Sequence, residues 1–229
     1  MKSFKPLVYY YSKRGTDEWD TLYDKCLGHS IASAKYFGYN CEVLSGYLDK
    51  PLMVARFKAY LEYLERVNLD PHLPVWFLDP DIIVCQPLPY PSTDGMFIVR
   101  PEFTKVKQKP QDMVMAGAMC LKPRGRFILE FAIKKMEEMD PELQEWGGDQ
   151  VVLSQMFKGC DSTMAELHHN GHTNTYSLVP EEFVMDYTCM EPTLPLSHFK
   201  GYRKPGMWGD WKHHGDPAAK RRTTENVLD

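Results

Sequence analysis

The chain has 229 residues, 43% of them hydrophobic, which suits one large α/β domain with a substantial core. A formal net charge of −4 argues against a nucleic-acid partner. No apolar run approaches the roughly 18 residues of a membrane-spanning helix, and the N-terminus lacks signal-peptide character. The six cysteines show no Cys-x-x-Cys spacing, which favours buried free thiols over structural zinc. We therefore expect a cytoplasmic protein without a membrane span.

Predicted strands and helices alternate along the first half of the chain. Strands are predicted at 6–12, 41–44, 75–78, 82–85, 96–100 and 113–122, and later in YSLVP and EEFVMDY. Helices are predicted at about 16–37, at 50–67, after Pro123 and from Asp149. This alternation indicates a mostly parallel sheet with helices on both faces, and the second half is more mixed.

One domain boundary and one helix face complete this prediction. Residues 1–208 are expected to form a single domain, and the polar, aperiodic residues 209–229 a tail or linker. The chain also suits one part of a longer polypeptide. The helix after Pro123 is expected to turn five residues toward the core, namely Phe127, Ile128, Phe131, Ala132 and Met136.

The stretch VWFLDPDIIVCQPLP, residues 75–89, places two acids inside an apolar run. Asp79 and Asp81 stand two residues apart in extended chain, so both carboxylates project from one side. They follow a predicted strand at its carboxyl end, where open α/β sheets bind ligands. Two hard oxygens there make half a site for Mg²⁺ or Mn²⁺. The alternative is a turn whose aspartates accept backbone hydrogen bonds.

Five segments in this order resemble the motifs of glycosyltransferases with the GT-A fold, most closely those of glycosyltransferase family 8, the glycogenin-like enzymes. The segments are ARFKAYLEYL (55–64), the acidic stretch, MAGAMCLKP (115–123), GGDQ (147–150) and SHFKGYRKPGMW (197–208). The likeness covers roughly residues 50–210. It implies a GT-A fold, a Rossmann-like α/β architecture with a mixed, mostly parallel central sheet. Met115 stands where that family has Asn, and KPGMW interrupts its KPW motif.

The resemblance also implies a set of site residues. Asp79, Asp81 and His198 would bind the metal, and Asp149 and Gln150 would act beside the transferred sugar. The implied donor-binding residues are Tyr10, Tyr11, Ser12, Arg56, Asp79, Gly117, Lys200, Gly201 and Lys204. Structural alternatives remain open for several of them: half-buried sheet residues for the tyrosines, a helix-surface charge for Arg56, a helix N-cap for Asp149 and a structural imidazole for His198.

The predicted function is that of a metal-dependent glycosyltransferase. It would use Mn²⁺ or Mg²⁺ and transfer a hexose or deoxyhexose from a UDP-sugar to a glycan or other hydroxyl acceptor, with retention at the anomeric carbon. One alternative is a catalytically inactive GT-A domain that binds a sugar nucleotide or a glycan. A nucleotidyltransferase is disfavoured because the loop SKRGTDE after the first strand holds one glycine. P-loop and dinucleotide-binding motifs are absent from the sequence.

Overall fold

The structure is a computed structural model that describes residues 7–11, 18–44, 50–66, 70–103, 110–145, 147–158, 163–169, 171–180, 184–185 and 195–198. The strands are β1 (Leu7–Tyr11), β2 (Asn40–Leu44), β3 (Val75–Leu78), β4 (Ile82–Val84), β5 (Gly95–Phe103), β6 (Pro110–Leu121), β7 (Met164–His169), β8 (His172–Pro180), β9 (Val184–Met185) and β10 (Leu196–His198). The helices are α1 (Glu18–Tyr36), α2 (Leu52–Arg66), α3 (Phe127–Glu137), α4 (Pro141–Glu145) and α5 (Gly148–Met156).

Seven strands form the central sheet, in the order β2-β1-β3-β6-β5-β8-β7. Strands β2, β1 and β3 are mutually parallel, as is the pair β5 and β8. The pairs β3–β6, β5–β6 and β7–β8 are antiparallel. The predicted α/β architecture with a mixed sheet is confirmed. The described sheet is less parallel than predicted, because three of its six strand pairings are antiparallel.

A second sheet of three strands, in the order β4-β10-β9, stands beside the central one. The predicted strand at 82–85 is confirmed as β4, and it belongs to this second sheet. The chain turns between β3 and β4, and β4 pairs antiparallel with β10. This turn contains the two aspartates, so both sheets meet at the acidic stretch.

Strand β3 is apolar throughout because both of its faces are buried. Val75 and Phe77 pack into a core cluster with residues of α2, α3 and α5. Trp76 and Leu78 pack into a second cluster with residues of α1, β4 and β10. A strand covered on both sides reads as a continuous hydrophobic run, which is the pattern of VWFL.

The helix predictions hold with one correction. Helix α1 ends before Gly38, which adopts a left-handed φ of 80° as a helix-terminating glycine does. In α3 the buried residues are Ile128, Leu129, Ala132, Ile133 and Met136. The prediction that Phe131 faces the core is wrong, because it is 37% exposed and Lys135 lies over its ring.

Three further predictions have a partial outcome. The four cysteines in the described part of the chain form no disulfide with one another, and all but Cys41 are buried. They are Cys26, Cys41, Cys85 and Cys120. None of the helices in the described ranges has the length and apolarity required to cross a bilayer. Residues 199–229, with the predicted tail at 209–229, lie outside the described residues, so the boundary of the 1–208 domain stays a prediction.

Candidate metal centre at the end of strand β3

The acidic stretch forms a four-residue turn, Asp79 to Ile82, that leads from β3 into β4. The amide of Ile82 donates to the backbone carbonyl of Asp79 at 3.1 Å, which closes the turn. The amide of Asp79 donates to the carbonyl of Gly117 in β6 at 2.7 Å. A backbone carbonyl, rather than a carboxylate, thus accepts the bond that closes the turn. Asp81 is 3% exposed, so its carboxylate lies inside the protein.

His198 reaches this turn through the second sheet. It pairs with Ile82 across the β4–β10 ladder and is buried. Its Nε2 lies 3.4 Å from Oδ1 of Asp81. One candidate ligand atom from each of Asp79, Asp81 and His198 lies within 4.8 Å of the others. Two carboxylate oxygens and one imidazole nitrogen at this spacing suit a divalent cation such as Mn²⁺.

Arg56 of α2 joins the first aspartate to a third acid. Its guanidinium forms ion pairs with Asp79 through Nη1 and with Asp149 through Nη2. Burial by itself lowers the pKa of the Arg56 guanidinium, but the neighbouring charges of Asp79 and Asp81 outweigh it and raise that pKa. The interpretation of Arg56 as a helix-surface charge is wrong, since the residue is buried and its positive charge is held inside the site.

Asp149 lies in the first turn of α5, where the helix dipole favours a negative charge. The N-cap of α5 is Gly147, with a φ of 80°, so the N-cap interpretation of Asp149 is wrong. The Asp149 carboxylate is 1% exposed, and its Oδ1 accepts the amide of Gln150 at 2.8 Å. Its Oδ2 faces Arg56. Asp149 and Gln150 thus lie at the same end of β3 as the triad of Asp79, Asp81 and His198.

Among the described side chains, the charges of this cluster do not balance. Asp79, Asp81 and Asp149 contribute three carboxylates, and Arg56 contributes one guanidinium. With a neutral His198, the formal charge is −2. The Asp79 side chain is 23% exposed and the other two carboxylates are almost fully buried. The carboxylate oxygens and the imidazole nitrogen of Asp79, Asp81 and His198 fit a divalent cation in their chemistry.

The Asp79 carboxylate leaves no room for a side chain at Gly117. A Cβ at this position would collide with Oδ2 and Cγ of Asp79. The ladder between β5 and β6 is irregular here, since the partner of Phe97 is Met119 and the partner of Ile98 is Met115. This shift in register leaves the β6 residues 116–118 without a paired residue in β5. Met115 itself is buried in the core, where it packs with Ile98.

The remaining sequence-predicted residues are only partly described. Tyr10 pairs with Leu78, so β1 ends beside the start of the acidic turn. The backbones of Tyr10 and Tyr11 therefore lie at the same edge of the sheet as the acidic turn. Four other residues, Ser12, Lys200, Gly201 and Lys204, lie outside the described residues. Their roles stay predictions.

No protein-family model and no curated protein sequence matches the chain. Among solved structures, it is similar to a glycosyltransferase involved in the glycosylation of the major capsid of PBCV-1. The TM-score is 0.57 with 10% identity, over 90% of this chain and 99% of that one. It is also similar to the apo form of the glycosyltransferase GlyE of Streptococcus pneumoniae TIGR4. There the TM-score is 0.50 with 14% identity, over 98% of this chain and 64% of that one.

At identities this low the likeness shows the fold alone. The chain has the α/β GT-A-type fold of glycosyltransferases, with a mixed sheet flanked by helices. The predicted fold is confirmed. Membership of family 8 is a finer statement and stays a prediction.

Proposed function

We propose that the protein is a metal-dependent glycosyltransferase that uses a nucleoside diphosphate sugar, a UDP-hexose or UDP-deoxyhexose, and a hydroxyl acceptor such as a glycan. The observation that carries the proposal is the convergence of Asp79, Asp81 and His198 at the carboxyl end of β3, in a fold that glycosyltransferases share. Open α/β sheets bind their ligands at this edge.

Asp79, Asp81 and His198 would hold Mn²⁺ or Mg²⁺. When bound, this ion supplies a Lewis acid that offsets the negative charge of the diphosphate and of the departing nucleotide. Lys200 and Lys204, which follow β10 in sequence, are proposed to face the same phosphates. Their cationic side chains would add to the stabilisation of the leaving group.

Arg56 has a positioning role in this proposal. Its two ion pairs join Asp79 to Asp149. They would thereby keep the distance between the proposed metal ligands and the start of α5 constant. Asp149 and Gln150 are proposed to accept and donate hydrogen bonds to hydroxyls of the donor sugar near its anomeric carbon. Tyr10, Tyr11 and Ser12 are proposed to contact the uracil ring from the end of β1. Retention at the anomeric carbon is expected from the resemblance to family 8.

A panel of UDP- and GDP-sugars, incubated with and without Mn²⁺, tests this function through the release of free nucleotide. We expect slow hydrolysis of one UDP-sugar only when Mn²⁺ is present. The double variant Asp79→Ala/Asp81→Ala should release none. Asp24→Asn, which removes an exposed acid from α1, is the matched control and should behave as the wild type. Full turnover by the double variant, or turnover unaffected by a chelator, would overturn the proposal.

A second candidate function is a GT-A domain that binds a sugar nucleotide without transferring the sugar. The observation that favours it is the engagement of both Asp79 and Asp149 by Arg56, because two proposed site acids then already have a partner within the chain. Equilibrium dialysis with radiolabelled UDP-sugar separates the two functions. Binding of a donor that is never hydrolysed, with or without acceptor, supports the second.

A further inference from the structure

Helix α1 contacts the acidic turn through two serines that are completely buried. The hydroxyl of Ser30 donates to the carbonyl of Pro80 at 2.5 Å. The hydroxyl of Ser33 accepts the amide of Val84 at 3.0 Å and donates to the carbonyl of Ser30 at 2.7 Å. One serine therefore holds the turn itself, and the other holds the strand that follows it.

The carbonyl that Ser30 binds belongs to the central peptide of the turn. In the four residues Asp79 to Ile82, the backbone bond from the Ile82 amide to Asp79 closes the turn around Pro80 and Asp81. The two common turn types differ by a flip of this central peptide, which changes φ of the third residue from about −90° to about +80°. The third residue here is Asp81. A flip would redirect the Cα–Cβ bond of one proposed metal ligand.

The backbone hydrogen bonds described for this turn lie at its two ends. The bond between the Asp79 amide and Gly117 anchors the first residue of the turn, and the Ile82 amide anchors the last. Proline fixes its own φ but leaves its ψ free to rotate, and a flip of the following peptide requires that rotation. The Ser30 hydroxyl acts on the carbonyl that would move.

We propose that Ser30 is a positioning residue for the metal centre, because its hydrogen bond to Pro80 holds the central peptide in the orientation that directs the Asp81 carboxylate toward Asp79 and His198. This inference rests on the proposed function, since it takes the triad to be a cation site. Helix α1 supplies no predicted ligand, but in this inference it contributes to the affinity for the cation through Ser30.

The test is the affinity for Mn²⁺ of Ser30→Ala and Ser33→Ala, measured by the loss of the free-ion electron paramagnetic resonance signal. Both substitutions remove one buried hydroxyl from the same helix, so Ser33→Ala is the matched control. We expect Ser30→Ala to weaken Mn²⁺ binding about tenfold, as expected for the loss of one well-placed buried hydrogen bond. Ser33→Ala should lower the melting temperature of the metal-free protein and change Mn²⁺ affinity by less than about twofold.

The outcomes separate this inference from the proposed function. If the wild type binds Mn²⁺ and Ser30→Ala binds it equally well, the positioning role is wrong and the proposed function is untouched. Equal weakening in both serine variants also overturns it, because the effect would then be one of general stability. If the wild type itself fails to bind Mn²⁺, the proposed function fails and the inference fails with it.

A conservative variant covers the case in which Ser30→Ala does not fold. Ser30→Cys keeps a donor of similar size, but its S–H is a weak one. We expect a Mn²⁺ affinity between those of the wild type and Ser30→Ala. An affinity equal to that of the wild type would show that the hydrogen bond is not needed.

Discussion

Two clusters with buried acids lie at opposite ends of the central sheet, and their charges are balanced in different ways. The triad of Asp79, Asp81 and His198 stands with Arg56 at the carboxyl end of β3, after Leu78. The second cluster surrounds Asp94, which precedes β5. Gly95 and Val75 are both paired with Leu121 of β6, so Asp94 lies near the amino end of β3.

The Asp94 cluster is satisfied by the protein itself. Its Oδ2 accepts the side-chain amide of Asn174 and the backbone amide of Thr175, both at 3.0 Å. Its Oδ1 forms an ion pair with Arg124. The amide of Lys122 donates to the Asp94 carbonyl at 2.8 Å. One buried carboxylate here has three partners, which join β5, β8 and the turn before α3.

The two clusters differ in the partners that the described residues supply to their acids. The Oδ2 of Asp94 accepts two hydrogen bonds and its Oδ1 is ion-paired with Arg124, as expected of a structural acid. The described residues at the carboxyl end of β3 include three carboxylates and one guanidinium. Open α/β sheets bind their ligands at this edge. Functional sites commonly retain such an imbalance at the expense of stability.

The largest expected effect comes from removing one charge at the triad. Asp81→Asn should lower metal-dependent turnover by about 10³-fold or more, because an amide oxygen is a much weaker ligand for a hard cation than a carboxylate. The free energy of unfolding of the metal-free protein should fall by less than about 1 kcal/mol. The substitution removes a hydrogen-bond acceptor, but it also removes a negative charge buried near two other carboxylates. Steady-state kinetics and urea unfolding measure the two quantities. A large loss of stability with unchanged turnover per folded molecule would reverse the assignment.

At Asp94 we expect a smaller effect, and it should fall on stability rather than on turnover. Asp94→Ala should lower the free energy of unfolding by about 3 kcal/mol, because the buried donors of Asn174 and Thr175 lose their acceptor. Turnover per folded molecule should be unchanged. Arg124→Ala is the control: its side chain is 44% exposed, so a loss of at most about 1 kcal/mol is expected. Loss of Mn²⁺ affinity in Asp94→Ala would contradict the separation of the two ends.

The smallest of these effects tests the fit between Gly117 and Asp79. Gly117→Ala should weaken Mn²⁺ binding by about tenfold, because the added methyl group displaces the Asp79 carboxylate. Gly28→Ala is the control, since a Cβ at that position in α1 meets no atom within 4 Å. It should raise stability by about 0.5–1 kcal/mol through helix propensity. Titration with Mn²⁺ and thermal unfolding check both variants, and unchanged affinity in Gly117→Ala would show that the site tolerates the methyl group.

The sequence predicted that Asp79, Asp81 and His198 come together, but it gave no indication of the cluster around Asp94. Asp79 and Asp81 are conspicuous because VWFL and IIV flank them, and apolar flanks make two acids costly unless they have a role. His198 was predicted as a ligand only through the resemblance. It reaches the acidic turn because β10 pairs with β4, which places His198 opposite Ile82. Local pattern carries no information on such distant pairing.

Other features had no signal that sequence analysis can use. Arg56 and Asp149 were each predicted as site residues, but their direct ion pair depends on how α2 packs beside α5. Ser30 is one of several serines in the chain, and its role depends on the position of one carbonyl. Strand β7, MAELHH, was missed because its edge position leaves it polar and without clear alternation. Phe131 misled the helix prediction because a large apolar residue can lie at the surface.

Electron spin-echo spectroscopy of the Mn²⁺-loaded protein with UDP tests the central claim most directly, because it reports the nuclei that surround the ion. We predict modulation from one directly bound imidazole nitrogen and coupling to phosphorus of the diphosphate. The nitrogen signal should vanish in His198→Ala, while His168→Ala, which alters an exposed histidine of β7, should leave it intact. A bound ion with no nitrogen modulation, or a signal that survives in His198→Ala, would contradict the assignment of Asp79, Asp81 and His198 as one cation site.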